Sequence, residues 1–461
     1  MNKMKKRLLS IVSWAVCVST ISAQTNPAIT TWLQNTTQTG NYYTAGNSIK
    51  IANNILVNCQ KVQYSATSVY VSTKGIPSYP TGPFQDGNPS QASDQNAIFK
   101  FPLSPVQNTG TKTATSGGNI GVFINGVALF DYRDGVAWNA TTNALCGGPG
   151  NPACPGGMGT VQPWNRDAII AEKAGFDCAK GHPAMGNYHH HQNPSAFKLD
   201  LTVISTVCNL YDADGLYVIN SAQHSPLIGF AYDGFPIYGA YGYKNADGTG
   251  GIVRIKSSYQ LRNITTRTTS PTGATVTSGP AVSATYPLGY FREDYEFVAH
   301  AGEPDYLDIH NGRFCKTPEY PNGTYAYFCT VDAKHNSAYP YVVGPTFYGV
   351  VSASKVASVT ETVSTYIKST PTQEANLKGL KIYIFPNPSA DLIAIQMDEL
   401  VKEDYTIALY DLTGKLLQTT QLNKGSTIAY FDTQALYAGT YLVEISNGLA
   451  HTTRKVVVQK Q

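Results

Sequence analysis

The segment Gly186–Pro194 reads GNYHHHQNP and sets three of the chain's nine histidines side by side. Read as a strand, it alternates: His189 and His191 share one face, while Tyr188, His190 and Gln192 share the other. Same-face residues two apart lie ~6.5–7 Å apart at Cα. That spacing lets two imidazoles converge on one ion at the ~2.0–2.1 Å of a zinc–nitrogen bond. Further ligands must come from elsewhere. His182, in the tight KGHP turn just upstream, and His224, in AQHSPLIGFAYDGFPIYG, are the candidates. An imidazole-rich site without thiolate suits a transition metal, Zn or Cu first, with Ni and Fe as further options. If one coordination position is left to water, a metal-dependent hydrolase becomes the enzymatic option, because a bound metal lowers the water pKa to about 7. The competing reading makes the same histidines hydrogen-bonded core groups among tyrosines. His190, facing away, is expected to be structural or exposed.

Carboxylates add a second set of candidates. In YLDIHNGRFC, alternation puts Asp308 and His310 on one face, so Asp308 could orient an imidazole or act as a general base. The plainer reading is that this Asp and the following Asn-Gly shape a turn. Asp233 and Tyr238, in DGFPIYG, face the same choice, with Tyr238 able to reach a shared cleft. Established catalytic signatures are missing. There is no Gly-x-Ser-x-Gly elbow, His-Glu-x-x-His, phosphate-binding glycine loop or dinucleotide fingerprint, and no paired Cys-x-x-Cys zinc spacing.

The elements that must carry these residues are mostly strands. GVFINGVALF (Gly121–Phe130) and GFAYDGFPIY (Gly229–Tyr238) share a pattern. Each reads as two strands joined by an Asn-Gly or Asp-Gly turn, so the body could consist of two related β-halves facing each other. One helix is expected, in WNRDAIIAEKAGF, with Asn165 as N-cap and Gly175 as the stop. It leads directly into the histidine segment. The stretch to about Asn47 is polar and expected to be loosely ordered.

Charged residues make up only 14% of the 461, well under the usual quarter, while Tyr reaches 31. This is the composition of an extracellular β-rich protein. The N-terminus, MNKMKKRLLSIVSWAVCVSTISAQ, has a basic start, a short apolar run and small residues ending at Ala23, which is the pattern of a secretory signal peptide over 1–23. Four basic residues lie inside it, so 29 basic residues then stand against 30 acidic ones. Near neutrality and the lack of a basic patch argue against a nucleic-acid partner. No later stretch is long and apolar enough to span a membrane as a helix. Export permits disulfides among the remaining seven cysteines. Cys146 and Cys154 flank a short flexible loop, and Cys315 and Cys329 flank an expected hairpin.

Two resemblances follow from longer motifs. GHPAMGNYHHHQNP, HSPLIGFAYDGFPIYG, DYLDIHNGRFCKTPEYPNGTYAYFCT and YPYVVGPTFYG, in order over about Ile120–Gly349, resemble the YHYH domain family. The chain departs at the name motif, where His190 stands in place of the second Tyr, while His189 and His191 are kept. The resemblance implies an extracellular β-rich domain without a settled reaction. FPNPS, LYDLTGKLL, AGTYLVEI and TRKVVVQK, in order within Leu380–Gln461, resemble the C-terminal sorting domain of the type IX secretion system of Bacteroidetes. That implies the type IX machinery as partner, passage across the outer membrane, and then release or surface attachment.

The expected fold is therefore mainly β: a large β-rich YHYH domain over 24–351 with one short helix, a Ser/Thr-rich linker over 352–379, and a small immunoglobulin-like β-sandwich over 380–461. The leading functional expectation is a secreted or cell-surface protein that binds a metal through His182, His189, His191 and His224. The alternative is a non-enzymatic binding module for glycan or protein, whose tyrosines supply flat amphipathic contacts.

Overall fold

Hydrophobic alternation in short Gly-punctuated runs yields strands almost throughout. The computed structural model describes residues 26–84, 91–148, 150–157, 162–196, 208, 215–367, 380–447 and 451–460. The expected signal peptide at 1–23 and the C-terminal end of the expected linker lie outside them. The chain divides into two units, Thr25–Ile367 and a second ending in Lys368–Gln461.

An eight-stranded sheet organises the first unit. Its strands are β1 (Asn119–Phe123), β2 (Ala128–Phe130), β3 (Gly181–Ala184), β4 (Asn187–His190), β5 (Leu227–Ala231), β6 (Pro236–Tyr238), β7 (Gly312–Cys315) and β8 (Thr324–Phe328), in the order β3-β4-β2-β1-β5-β6-β8-β7. The two echoed segments form the hairpins β1–β2 and β5–β6. They do not face each other. β1 and β5 pair antiparallel at the centre of one sheet, with Gly121 opposite Ala231 and Phe123 opposite Gly229. Those two pairs exchange under the sequence offset of the echo, so an approximate two-fold axis passes between the strands. Each half then adds a second hairpin by parallel pairing: β4 on β2, and β8 on β6. The hairpin turns depend on glycine. Gly126 has φ +77°, and a Cβ there would meet Thr73 Oγ1 at 2.2 Å.

A second sheet packs on the central one. It contains Cys59–Tyr64, Ser68–Thr73 and Ala97–Pro102. Its Val62, Val71, Phe99 and Phe101 form a core with Val122, Phe230, Tyr238 and Phe328. Its two edge strands are Ser354–Val356 and Ser364–Tyr366. The segment from 352, read from composition as linker, is thus part of the first unit up to Ile367. Its Ser and Thr fit because edge strands keep one side in water. The N-terminal stretch is also ordered. Asn26 caps a single helical turn, Pro27–Thr30, and Trp32 is fully buried against Phe101 and Phe230. The expected helix, α1, runs Ala168–Glu172. Its cap is Asp167 rather than Asn165, because Asn165–Asp167 is held as a strand against Arg133–Asn139.

Cys146–Cys154 forms the disulfide that the short loop allows, and Cys178 pairs with Cys208. Cys315 and Cys329 stay reduced and buried. The first sits at the turn end of β7–β8 and the second just past the other end, so the hairpin holds them apart.

The second unit is built from a three-stranded sheet (Ile382–Phe385, Leu392–Met397, Ile428–Asp432) and a four-stranded one (Tyr405–Asp411, Leu416–Leu422, Gly439–Ser446, His451–Val458). Tyr405, Ile407 and Leu409 alternate into its core with Ile393, Ile395, Val443 and Val456. Asn447 and its flanking strands are in place as expected, while Gly448 of that turn lies outside the described residues.

Candidate metal centre

The hairpin β3–β4 turns on Met185-Gly186, both at positive φ (+49° and +83°), which is the two-residue geometry whose twist matches paired strands. That turn places His182 directly across from His189. His182 is therefore a strand residue, not a turn residue. His191 follows one position past β4 and returns to the face of His189. Ligand nitrogens of His182, His189 and His191 lie within 4.8 Å of one another, and all three side chains are buried.

A fourth group comes from α1. Glu172, its last residue, brings Oε2 to 3.2 Å from His182 Nε2 and 3.1 Å from His191 Nε2. Neither contact is aligned as a hydrogen bond: Glu172 Oε2 and both His182 nitrogens are buried without one. Helix α1 is aimed by Asp167, which caps Ile169 N–H at 2.8 Å and accepts the Tyr341 hydroxyl at 2.7 Å.

Two of the imidazoles are held from behind. His189 Nδ1 lies 2.9 Å from the Asn187 carbonyl, and His191 Nδ1 lies 2.5 Å from the Asp131 carbonyl. A carbonyl only accepts, so each Nδ1 carries a proton, and in the neutral ring Nε2 presents a lone pair. Those Nε2 atoms are 3.1 Å apart. In two neutral rings fixed this way neither can donate to the other; a metal cation between them, or a second proton on His191 drawn by Glu172, relieves the opposition. Phe130 stacks on the His189 ring at 3.8 Å and fixes its plane.

Burial opposes a charge on His191, but Glu172 and the Asp131 carbonyl outweigh it and raise the ring above an ordinary histidine. Burial opposes the charge of Glu172, yet the His182 and His191 imidazoles outweigh it and hold the carboxyl well below its usual range. Burial, joined by its two neighbours, pushes His189 well below an ordinary histidine and keeps it neutral. The three histidines and Glu172 form the floor of a cleft of about 470 Å³ that Arg133, Asn165 and the exposed Met185 also line.

Other expected site residues lie elsewhere. His224 does not join the cluster: its ring packs on Tyr238, Tyr243 and Phe328 in the other half of the sheet, and its Nδ1 bonds the Ser225 carbonyl at 2.7 Å. Asp308 accepts from the backbone N–H of His310 and Gly312 and from the Tyr325 hydroxyl. His310 contacts Thr346. Asp233 accepts from Tyr327 and from the Gly349 N–H, and Tyr238 bonds Thr317 and Glu319. None of these four lines the histidine cleft; they hold turns and strands of the second half. His190, by contrast, is structural as expected, with Nε2 on Tyr79 Oη at 2.7 Å and Nδ1 on the Lys180 carbonyl at 3.1 Å. Sequence reasoning missed Glu172. Its only signal was position, as the one carboxylate at the end of the helix feeding the histidine segment.

The two-fold relation supplies an internal control. Asp177 accepts from the N–H of Ala179 and Gly181 and from the Tyr188 hydroxyl, which is the pattern of Asp308 and Tyr325. Gly181 opposes His190 as Gly312 opposes Tyr327, so His182, His189 and His191 correspond to Arg313, Ala326 and Phe328. The second half folds into the same four strands with none of the imidazoles. Its Arg313 guanidinium lies 5.4 Å over the Phe328 ring where the first half gathers its ligands.

Comparison with known proteins agrees with both resemblances. A family model described as YHYH protein matches residues 98–340, and one described as Secretion system C-terminal sorting domain matches residues 383–459. The latter marks the chain for export through type IX secretion to the cell surface or extracellular space. No helix among the described residues is long and apolar enough to cross a membrane. A search of curated proteins found no match. Among solved structures, the chain is similar to a DUF3244 family protein with an immunoglobulin-like β-sandwich fold from Bacteroides vulgatus ATCC 8482. Identity is 18%, coverage is 17% of this chain and 84% of that one, and the TM-score is 0.15. With so low a score, the sandwich assignment rests on this chain's own two sheets. The chain belongs to the YHYH protein family.

Proposed function

We propose that this exported protein binds a divalent transition metal, Zn or Cu, through His182, His189, His191 and Glu172. The observation that carries the proposal is the convergence of three buried imidazoles within 4.8 Å, the Nε2 atoms of His189 and His191 3.1 Å apart, with a buried Glu172 oxygen beside them. Three imidazoles and one carboxylate match the donor preferences of these metals. Histidines kept only for structure would be needed by the scaffold, yet the related half forms the same strands with Arg313, Ala326 and Phe328. Several of the tyrosines serve the interior rather than a surface: Tyr188, Tyr325, Tyr327 and Tyr341 are buried and bonded to Asp177, Asp308, Asp233 and Asp167. A bound metal would supply a Lewis-acid centre in the cleft.

The test is elemental analysis of untagged protein purified without chelator. Near-stoichiometric metal is expected, and its loss in the His189→Ala, His191→Ala double variant with an unchanged circular dichroism spectrum. Metal-free protein that also fails to take up added Zn or Cu refutes the proposal.

A further inference from the structure

A second cleft, also of about 470 Å³, is walled by Tyr132, Tyr259, Tyr295, Phe297 and Tyr339 around Arg292. No ligand of the proposed metal centre lines it. The two clefts adjoin through Asn165, which lines the first and donates from its backbone N and Nδ2 to the Glu293 carboxylate of the second, at 2.7 and 3.0 Å.

The polar groups of this cleft are asymmetric. Glu293 is buried, and its oxygens accept from Asn165 and from Arg292 Nε at 2.5 Å, so Glu293 and Arg292 pair within the cleft lining. Arg292 directs Nη1 to the Tyr132 hydroxyl at 3.3 Å, while Nη2 has no hydrogen-bond partner among the described residues. The Arg292 side chain is 24% exposed and lines the cleft. Ser270, Thr272 and Thr346 add hydroxyls at the rim. Aromatic faces, the open Nη2 edge of a guanidinium that Glu293 pairs at Nε, and several hydroxyls form a mixed lining. A purely apolar occupant would leave the guanidinium donor unpaired, which is costly in a partly dry site. A pyranose ring presents C–H groups to aromatic walls and hydroxyls to a polar rim, and a carboxylate on it pairs with Arg292 through a charge-assisted bond. The volume falls within the ~300–1,000 Å³ of ordinary small-ligand sites.

We propose that this cleft binds an acidic sugar, a uronic acid unit of an extracellular polysaccharide, with its carboxylate on Arg292 and its ring against the tyrosine walls. The experiment is calorimetric titration of the full, chelator-treated protein with short oligomers of galacturonate, mannuronate and glucuronate, against their neutral counterparts. Chelation keeps the outcome separate from that of the metal centre. At least one acidic oligomer is expected to bind, with affinity that falls as salt rises, and Arg292→Gln should weaken it by about tenfold or more. Arg292 touches Tyr132 and Glu293, so its variant could also disturb the wall. Ile309, 47% exposed in the cleft lining, gives an independent test: Ile309→Asp should weaken and Ile309→Lys should strengthen acidic-oligomer binding. Equal binding of neutral and acidic oligomers, no binding of any acidic one, or indifference to the charge placed at Ile309 overturns the proposal.

Discussion

Adding Zn to metal-free protein should raise the melting temperature of the first unit, and the size of the rise can be worked from the structure. The unit spans Thr25–Ile367, roughly 340 residues, so its unfolding entropy is roughly 0.7 kcal/mol/K at ~2.1 cal/mol/K per residue. A ligand at about a thousand times its dissociation constant stabilises the native state by about 4.1 kcal/mol. The ratio gives a rise of about 6 °C. The full set of four donors from α1, β3 and the end of β4 is assembled only in the folded chain; the contiguous His189–His191 run still binds metal when unfolded, so about 6 °C is an upper bound. Differential scanning fluorimetry against Zn concentration is the assay. Glu172→Gln, close in shape but uncharged, should lower the metal-free melting point, because the charge that His182 and His191 favour is gone, and should shrink the Zn-induced shift. His189→Ala with His191→Ala should abolish it. The reasoning fails if saturating Zn and Cu both leave the wild type unmoved, or if the double variant responds as fully as the wild type.

Other expectations concern the scaffold and the export route. Tyr188→Phe removes the hydroxyl that the buried Asp177 accepts at 2.8 Å, and urea unfolding should show a loss of about 1–3 kcal/mol. Burial pushes Asp233 up to about 6, despite its bond from Tyr327. Its folded value exceeds the unfolded one, so its contribution is complete below about pH 4 and is lost as pH rises through about 6. Stability should therefore fall less between pH 4 and pH 8 in Asp233→Asn than in wild type, and parallel curves for the two would contradict this assignment. Deleting Leu380–Gln461 should trap the protein in the periplasm, as read by fractionation and immunoblot; undiminished appearance in the medium would contradict the sorting role.

Much of this protein is legible without coordinates, because certain features depend only on neighbours in sequence. Strand alternation places His189 and His191 on one face wherever the segment packs, and it points Tyr405, Ile407 and Leu409 together into the second unit's core. The Asn-Gly and Asp-Gly turns declare the hairpins β1–β2 and β5–β6, and the short loop between Cys146 and Cys154 permits their disulfide. Long-range choices were not legible. Which histidine completes the cluster depends on strand pairing: the Met185-Gly186 turn sets His182 across from His189, while parallel pairing of β6 with β8 carries His224 into an aromatic pack on the other side of the two-fold axis. Glu172 reaches the site only because Asp167 and Tyr341 aim a five-residue helix at it. Composition made the tyrosines look like a surface, but buried carboxylates draw the hydroxyls of Tyr188, Tyr325, Tyr327 and Tyr341 inward. Local periodicity assigns a residue to a face; contact across sheets and halves decides what that face meets.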